Sequence, residues 1–500
     1  MTKNALLIRA DASPEIGTGH IMRCLALAEA WQDDGGEVFF VSVCDAPSIE
    51  DRLKREGMPV FHIRQEAGTS GDADETIRIA HEQEAEWIVV DGYHFDAKYQ
   101  KTIKDAGFSL IFIDDYGHAD HYYADIVLNQ NIYADMSFYK NYEPYTRFLL
   151  GTKYVLLRRE FLKYSDWHRD IPEVARKILI TLGGSDPDNV TLKVIDAVKT
   201  VEIDGLEAKV VAGGANPHFN LLHETVKGHS DITLIKNAEN MPELMAWADI
   251  AISAGGSTCW ELLFMGLPSI IIPTVDNQKP NAALLKTKDL IKCVEIDEIS
   301  DLEALAKKIM NLLRSYDSRI SLSNSMRKLI DGRGASHVTH YISSCIIKMR
   351  PIENSDCALI FSWINEDTVR VNSFHPEKIS LTNHKKWFSS VITDKTHIYY
   401  IALDMYDRPI GQARFKIRGR DAVISILLAS NHRGINLGSE LIRCATKRFF
   451  DDTQIEKVHA YIKTTNNSSL KAFIRAGYIP KGTLKLEDQM AHHVIVSRCE

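Results

Sequence analysis

The residues best suited to chemistry lie in "RADASPEIGTGHIMRCLALAEA", residues 9–30, where an apolar run passes through two glycines to His20 and then into a regular apolar repeat. Strand, glycine turn and helix start is a phosphate-friendly arrangement. It is neither the G-x-G-x-x-G fingerprint nor a P-loop, since no Gly-Lys-Ser/Thr follows. On its own, His20 reads as a helix-start residue that bonds the turn. Its neighbours add to that: "VVDGYHFD" ends a fourth strand and "FIDDYGH" a fifth, so a parallel sheet brings Tyr93, Asp114 and Asp115 to the same edge. A neutral imidazole there can take a proton from attacking water while a carboxylate or backbone group fixes its tautomer. That chemistry suits hydrolysis at an electrophilic sugar carbon. Tyr93 as a packing residue and the two aspartates as structural groups remain open at this point.

The elements that position these groups follow from the apolar pattern. From residue 4 to about 170, "ALLIRA", "EVFFVSV", "PVFHI", "EWIVVDG", "SLIFIDD" and "DIVLNQ" alternate with helical periodicity, which predicts a parallel sheet with helical crossovers. After the polar stretch "KYSDWHRDIPEVARK" comes a second series, "KILITLGGS", "EAKVVAGG", "DITLIKN", "DIAISAGGST" and "PSIIIPT". Its strands end in the glycine pairs Gly183-Gly184, Gly213-Gly214 and Gly255-Gly256. Glycine at the carboxyl end of such strands lets backbone N–H groups approach a phosphate, so Gly184, Gly214 and Gly256, with Gly17 and Gly19 of the first turn, are candidate nucleotide contacts. Near residue 348 the pattern changes to hairpin-like pieces in "HIYYIALDMYDRPIGQARFKIRGRDAVISILLAS", and antiparallel strands replace the alternation. The expected domains are 1–170, 171–345 and 348–500.

Bulk properties agree with this plan. Five hundred residues exceed what one core usually supports. The 59 basic and 67 acidic residues give a formal charge of -8, against a general nucleic-acid or membrane-surface binder. Eight cysteines without a C-x-x-C pair suit a reduced cytoplasm, and no metal-ligand cluster is visible. "MTKNALLIRADAS" lacks the apolar core of a signal peptide and no segment offers eighteen uninterrupted apolar residues, so a soluble cytoplasmic chain is expected. The oligomeric state is not legible.

The ordered set "RADASPEIGTGHIMRCLALA", "VVDGY", "FIDD", "DIVLNQN", "YVLLRREF", "TLGGSD", "ISAGGSTCWE" and "DNQ" resembles the UDP-2,4-diacetamido-2,4,6-trideoxy-β-L-altropyranose hydrolases of pseudaminic acid biosynthesis, over residues 1 to about 335. That family is similar in fold to GT-B glycosyltransferases. The resemblance implies two Rossmann-like lobes, with UDP held mainly by the second and no metal required. It implies that His20 activates the water that displaces UDP, that Tyr93 and Asn277 lie beside the sugar and diphosphate, and that Gly256, Ser257 and Thr258 meet the diphosphate. Glu261 falls on the residue used for the ribose; as a first-turn carboxylate it also simply suits the helix dipole.

In the last third, "ISILLASNHRGINLGSELIRCATKRFF" runs a strand into His432-Arg433-Gly434 and Gly438 before a helix, and "TTNNSSLKAFIRAGYIP" adds a second helix. Together these resemble the GNAT acetyltransferases, an α/β fold with a mostly antiparallel sheet. The resemblance implies acetyl-CoA, with pyrophosphate on the turn from Arg433 to Gly438 beside His432 and the pantetheine arm along Ile426 to Leu428, thus past Leu427. It also implies that Asn466 and Ser469 lie near the cofactor arm. Two departures stand out: Phe473 replaces the tyrosine many members carry, and "AVISILL" lacks the glutamate many use as a base. An inactive binding domain, or catalysis by positioning with another group handling protons, would fit.

In that pathway a GNAT enzyme acetylates the 4-amino group of a UDP-4-amino-4,6-dideoxy sugar and the hydrolase then removes UDP. A chain carrying both would perform consecutive steps on UDP-amino sugar substrates. The alternatives are a GT-B glycosyltransferase with an accessory GNAT domain, or one active half with the other a ligand-binding module.

Overall fold

A computed structural model describes residues 5–13, 17–43, 47–214, 216–345, 347–404, 407–433, 437–486 and 488–498, with side chains for all but 343–345. The chain divides into two compact units, up to Thr339 and from His340. The division falls inside the helix Gly334–Cys345.

The first unit holds two parallel sheets. One contains β1 (Ala5–Ala10), β2 (Glu37–Ser42), β3 (Val60–His62), β4 (Ala85–Asp91), β5 (Ser109–Ile113), β6 (Ile126–Asn129) and β7 (Arg147–Leu150), in the order β3-β2-β1-β4-β5-β6-β7. The other contains β8 (Lys177–Thr181), β9 (Glu207–Ala212), β10 (Ile232–Lys236), β11 (Ile250–Ala254), β12 (Ser269–Ile272) and β13 (Lys292–Cys293), in the order β10-β9-β8-β11-β12-β13. These are the two Rossmann-like lobes expected from the apolar runs. β1, β11 and β12 are buried along their whole length. Burial on both faces is why they read as continuous apolar runs rather than alternating ones. Leu7, Val41, Ile88 and Val90 belong to one core, and Ile180, Val210, Ile252 and Ile271 to the other. Each such side chain contributes about 1.5–3 kcal/mol of burial.

Both sheets reverse strand order next to their first strand, between β1 and β4 and between β8 and β11. In open α/β sheets the crevice at the carboxyl ends beside such a reversal is where ligands bind. His20 follows β1, Tyr93 follows β4, Gly184 follows β8 and Gly256 follows β11. The sequence-selected residues therefore sit at the two switch points.

The second unit carries one mixed sheet of β14 (Lys348–Pro351), β15 (His397–Leu403), β16 (Pro409–Arg418), β17 (Asp421–Leu428), β18 (Lys457–Lys463), β19 (Ile479–Leu486) and β20 (Gln489–Ser497), in the order β14-β15-β16-β17-β18-β20-β19. All neighbours are antiparallel except β17 and β18. The helices Leu437–Asp452 and Asn467–Arg475 cover one face, where Phe415 stacks on Phe449 at 4.0 Å. The helices Cys357–Ile364 and Leu381–Thr393 cover part of the other.

Candidate functional site

Gly17 has φ of +75° and its N–H bonds Ser13 O at 2.8 Å, closing a turn that an L side chain would strain. The helix Gly19–Asp33 starts immediately after, and Thr18 at its N-cap makes no side-chain cap bond. His20 does not cap the turn. Its Nδ1 lies 2.7 Å from Oδ1 of Asp91, the buried last residue of β4. Arg23, one helical turn on, donates to both Asp91 oxygens at 2.7 and 2.6 Å and to Asp115 Oδ1 at 2.8 Å. Arg23 Nη2 also lies 3.3 Å from His20 Nδ1. Both nitrogens point at the same carboxylate oxygen, and a guanidinium only donates, so the shorter Nδ1–H···Asp91 bond sets the tautomer. The lone pair is left on Nε2, which makes no hydrogen bond among the described residues.

Charge keeps that arrangement fixed. Burial alone would raise the Asp91 carboxyl, but the Arg23 guanidinium and then His20 outweigh it and hold the group well below the usual carboxylate range. Asp115 is lowered in the same way, its burial offset chiefly by Arg23. Tyr93 donates to Asp115 Oδ2 at 2.6 Å and packs edge-on to His20 with ring centroids 5.0 Å apart. Burial, then the Asp115 carboxylate, push its phenol far above the ordinary value, so it remains a neutral hydroxyl. Asp114 faces away from this group: Oδ1 accepts the backbone N–H of Asp115, Tyr116 and Gly117, closing the loop after β5.

The second lobe meets the first here. Asn277, in the turn after β12, donates to Tyr93 OH at 2.9 Å. Asn281 Nδ2 donates to Asn131 Oδ1 at 2.7 Å, and Asn131 in turn donates to Asp115 Oδ1 at 2.8 Å. Gln278 Oε1 accepts from Gly255 N and Thr274 N, tying the ends of β11 and β12 together. Glu261 accepts from Arg158 Nε and Nη2 at 3.2 and 2.8 Å. Burial, only partly offset by Arg158, raises the Glu261 carboxyl.

The glycines make this closeness possible. A Cβ on Gly184 would stand 2.9 Å from Thr18 Oγ1, on Gly214 3.0 Å from Ser48 Oγ, and on Gly19 3.8 Å from Ser257 Oγ. A Cβ on Gly256 would stand 3.6 Å from Gln278 Nε2. On Gly213 it would meet backbone O of Gly184 at 2.3 Å. Backbone cannot swing aside as a side-chain tip does. Gly213→Ala is therefore expected to destabilise the first unit by about 1–3 kcal/mol, read as a lowered midpoint of urea unfolding. An unchanged midpoint would contradict the packing. Ser257 and Thr258 begin the short helix Thr258–Phe264, with Glu261 in its first turn.

In the second unit, β17 and β18 pair only over Asp421–Val423 with Lys457–His459, although the strands run on to Leu428 and Lys463. Beyond Val423 the facing edges part, leaving backbone amides of Ile424–Leu428 without a strand partner on that side. An extended amide-bearing arm fits such a notch. Leu427 is buried in the cluster with Trp363 and Phe388. Arg433 donates from Nε to Leu428 O and from Nη1 to Thr368 Oγ1, both at 2.8 Å, and pairs with Glu366 at 2.6 Å. Its guanidinium is thus engaged within the fold. His432 is buried with Nδ1 2.8 Å from Asn431 Oδ1. Gly434 lies outside the described residues. Gly438, in the first turn of Leu437–Asp452, would bring a Cβ to 3.4 Å from Ala472 Cβ. Asn466 caps the helix Asn467–Arg475 by accepting from Ser469 N at 3.1 Å. Phe473 is a core residue packed edge-on to Tyr478 at 5.0 Å.

Asp91, Arg23, Arg158 and the pair His459 and His493 were not selected from sequence. Arg23 carried a signal, its i, i+3 spacing from His20. Among the described residues no group of three or more His, Cys, Asp or Glu could hold a metal ion, and no helix is long and apolar enough to cross a membrane.

Comparison with known proteins matches residues 178–331 to the glycosyltransferase family 28 C-terminal domain and residues 347–479 to the acetyltransferase (GNAT) domain. An uncharacterized protein of Methanocaldococcus jannaschii is 24% identical over 494 residues, 95% of this chain and 96% of its own. The UDP-2,4-diacetamido-2,4,6-trideoxy-beta-L-altropyranose hydrolase of Campylobacter jejuni is 28% identical over 285 residues, 57% of this chain and 96% of that enzyme. The solved structure of AAC(6')-Ib in complex with ribostamycin and coenzyme A is 20% identical and covers 30% of this chain and 93% of that one, with a TM-score of 0.29.

Proposed function

We propose, from the premise that this chain fuses a unit similar to the pseudaminic-pathway UDP-sugar hydrolases with a GNAT domain, that it acetylates the amine of a UDP-4-amino-4,6-dideoxy sugar and then hydrolyses the product to UDP and free diacetamido sugar. The observation that carries the hydrolytic half is the His20–Asp91 bond. A buried carboxylate reinforced by Arg23 holds Nδ1–H, which makes Nε2 the basic nitrogen and stabilises the imidazolium formed when water gives up its proton. Water oxygen forms the new bond to the anomeric carbon as the bond to the diphosphate oxygen breaks, and UDP leaves as an anion. Gly17, Gly19, Gly184, Gly214 and Gly256, with Ser257 and Thr258, present backbone to the diphosphate; Glu261, held by Arg158, takes the ribose. Asn277 and Tyr93 bridge the lobes beside the sugar.

For the second unit, the notch between β17 and β18 fits an acyl-CoA arm along Leu427 and Leu428, with His432, Arg433 and the helix start at Gly438 on the pyrophosphate side. When bound, acetyl-CoA supplies the activated acyl group. Asn466 and Ser469 shape the neighbouring helix start. No metal enters this reading, and the compartment it implies is the cytoplasm.

The test is incubation of purified protein with a UDP-4-amino-4,6-dideoxy-N-acetyl sugar, with and without acetyl-CoA, following CoA thiol, UDP and sugar mass. CoA is expected first, then UDP with free diacetamido sugar. The family 28 match supports one other reading, a glycosyltransferase; UDP release only when a sugar or lipid acceptor is added would replace hydrolysis with transfer.

A further inference from the structure

We propose that the imidazole pair His459 and His493, backed by Asp421, is the general base that takes the proton from the acceptor amine in the second unit; this rests on the acetyl-transfer reading above. His459 Nδ1 and His493 Nε2 are 2.9 Å apart, and the rings are nearly coplanar, with planes within 9° and centroids 5.2 Å apart. His459 Nε2 lies 3.2 Å from Asp421 Oδ2. Two imidazole nitrogens at that distance require one proton between them. With Asp421 accepting Nε2–H, His459 Nδ1 accepts from His493 Nε2–H, and His493 Nδ1 is left as the basic nitrogen.

The pair stands at the right place on the sheet. Ala422, Ile424, Val458, Ala460 and Val494 point into the core under the two long helices. Strand alternation therefore sends Asp421, Val423, Ser425, His459, Tyr461 and His493 to the opposite face. Val423 and His459 are the last paired residues before β17 and β18 part, so the imidazoles mark the closed end of the notch. An acyl thioester whose arm runs back along Leu428 to Ile424 ends beside them. β17 offers serine and valine there, and the proton must go to a neighbouring strand. Burial lowers the pKa of His493, which favours its unprotonated, proton-accepting form. Tyr461 stacks on His493 at 5.0 Å, and Lys457 and Lys416 occupy the same face by register.

The step balances without a further reactant. The ammonium of the sugar gives one proton to the pair. Its nitrogen forms the C–N bond to the acyl carbon as the C–S bond breaks, the electron pair staying on sulfur. The second N–H proton passes through solvent to the thiolate, giving amide, thiol and one proton released from the pair.

The experiment compares wild type with His459→Gln and His493→Gln in the full chain. It measures acetyl transfer from pH 5.5 to 9, CoA affinity by calorimetry, and UDP release from pre-acetylated substrate. Expected are a loss of about 10²–10⁴-fold in transfer at neutral pH, a rate that instead climbs with pH, and unchanged CoA affinity and UDP release. Variants with wild-type rate and pH profile, or variants losing CoA affinity in step with rate, overturn the proposal while leaving acetyl transfer standing. Wild type that neither binds CoA nor transfers acetyl overturns both.

Discussion

His20→Ala is expected to slow UDP release by about 10²–10⁴-fold while CoA release from acetyl transfer continues at the wild-type rate. That range corresponds to about 2.7–5.4 kcal/mol of transition-state stabilisation at about 1.36 kcal/mol per tenfold. The imidazole sits at a helix start whose turn is closed by Gly17 without it, so its removal leaves the turn bond intact. His20→Gln sharpens the comparison. The glutamine amide can still donate toward Asp91, yet it carries no basic nitrogen, so the hydrolytic loss should be as large as with alanine. UDP affinity should stay within about twofold, because diphosphate contacts come from glycine backbone. The acetylated UDP-sugar should then accumulate, visible by mass. A His20→Ala protein that releases UDP as fast as wild type would leave the His20–Asp91 bond a structural feature and remove the hydrolytic mechanism.

The lobes were readable because fully buried parallel strands leave unmixed apolar runs, and "ALLIRA" or "PSIIIPT" have no other way to be satisfied. Arg147–Leu150 and Lys292–Cys293 escaped because edge strands of four and two residues carry too little pattern. The turn glycines were legible as turns. Their second use, as the close contact of one lobe with the other, was not, since Gly184 against Thr18 depends on tertiary placement. Tyr93, Asp115 and Asn277 do meet, whereas Asp114 folds back onto its own loop. The true partner of His20 lay outside the selected set: Asp91 ends the strand two residues before Tyr93. Nothing local distinguishes a strand-end aspartate that caps a turn from one that holds an imidazole 71 positions away. The His459–His493 pair was hidden differently. β20 inserts between β18 and β19, so the two histidines are neighbours only through strand order.

Asp91→Asn is expected to damage both stability and hydrolysis. Asp91 is completely buried and accepts two bonds from Arg23 and one from His20. Asparagine keeps the shape and loses the charge, leaving Arg23 with Asp115 alone. Breaking a buried pair of this kind costs about 3–5 kcal/mol, less whatever Asp115 recovers, and should appear as a lower urea midpoint for the first unit. The pH dependence has a definite sign. The folded pKa of Asp91 is depressed, so its stabilisation is complete above the unfolded value of about 4 and is lost as pH falls through the folded one. The stability gap between wild type and Asp91→Asn should therefore be full at pH 7 and narrow only in strong acid. For hydrolysis the asparagine Nδ2–H can donate to His20 Nδ1, which forces the ring proton onto Nε2 and removes the base. UDP release should fall about 10²–10⁴-fold, and combining the substitution with His20→Ala should add almost nothing, because both remove one unit of function. Multiplicative losses in the double variant would instead mean that Asp91 contributes to the reaction by a route separate from the imidazole.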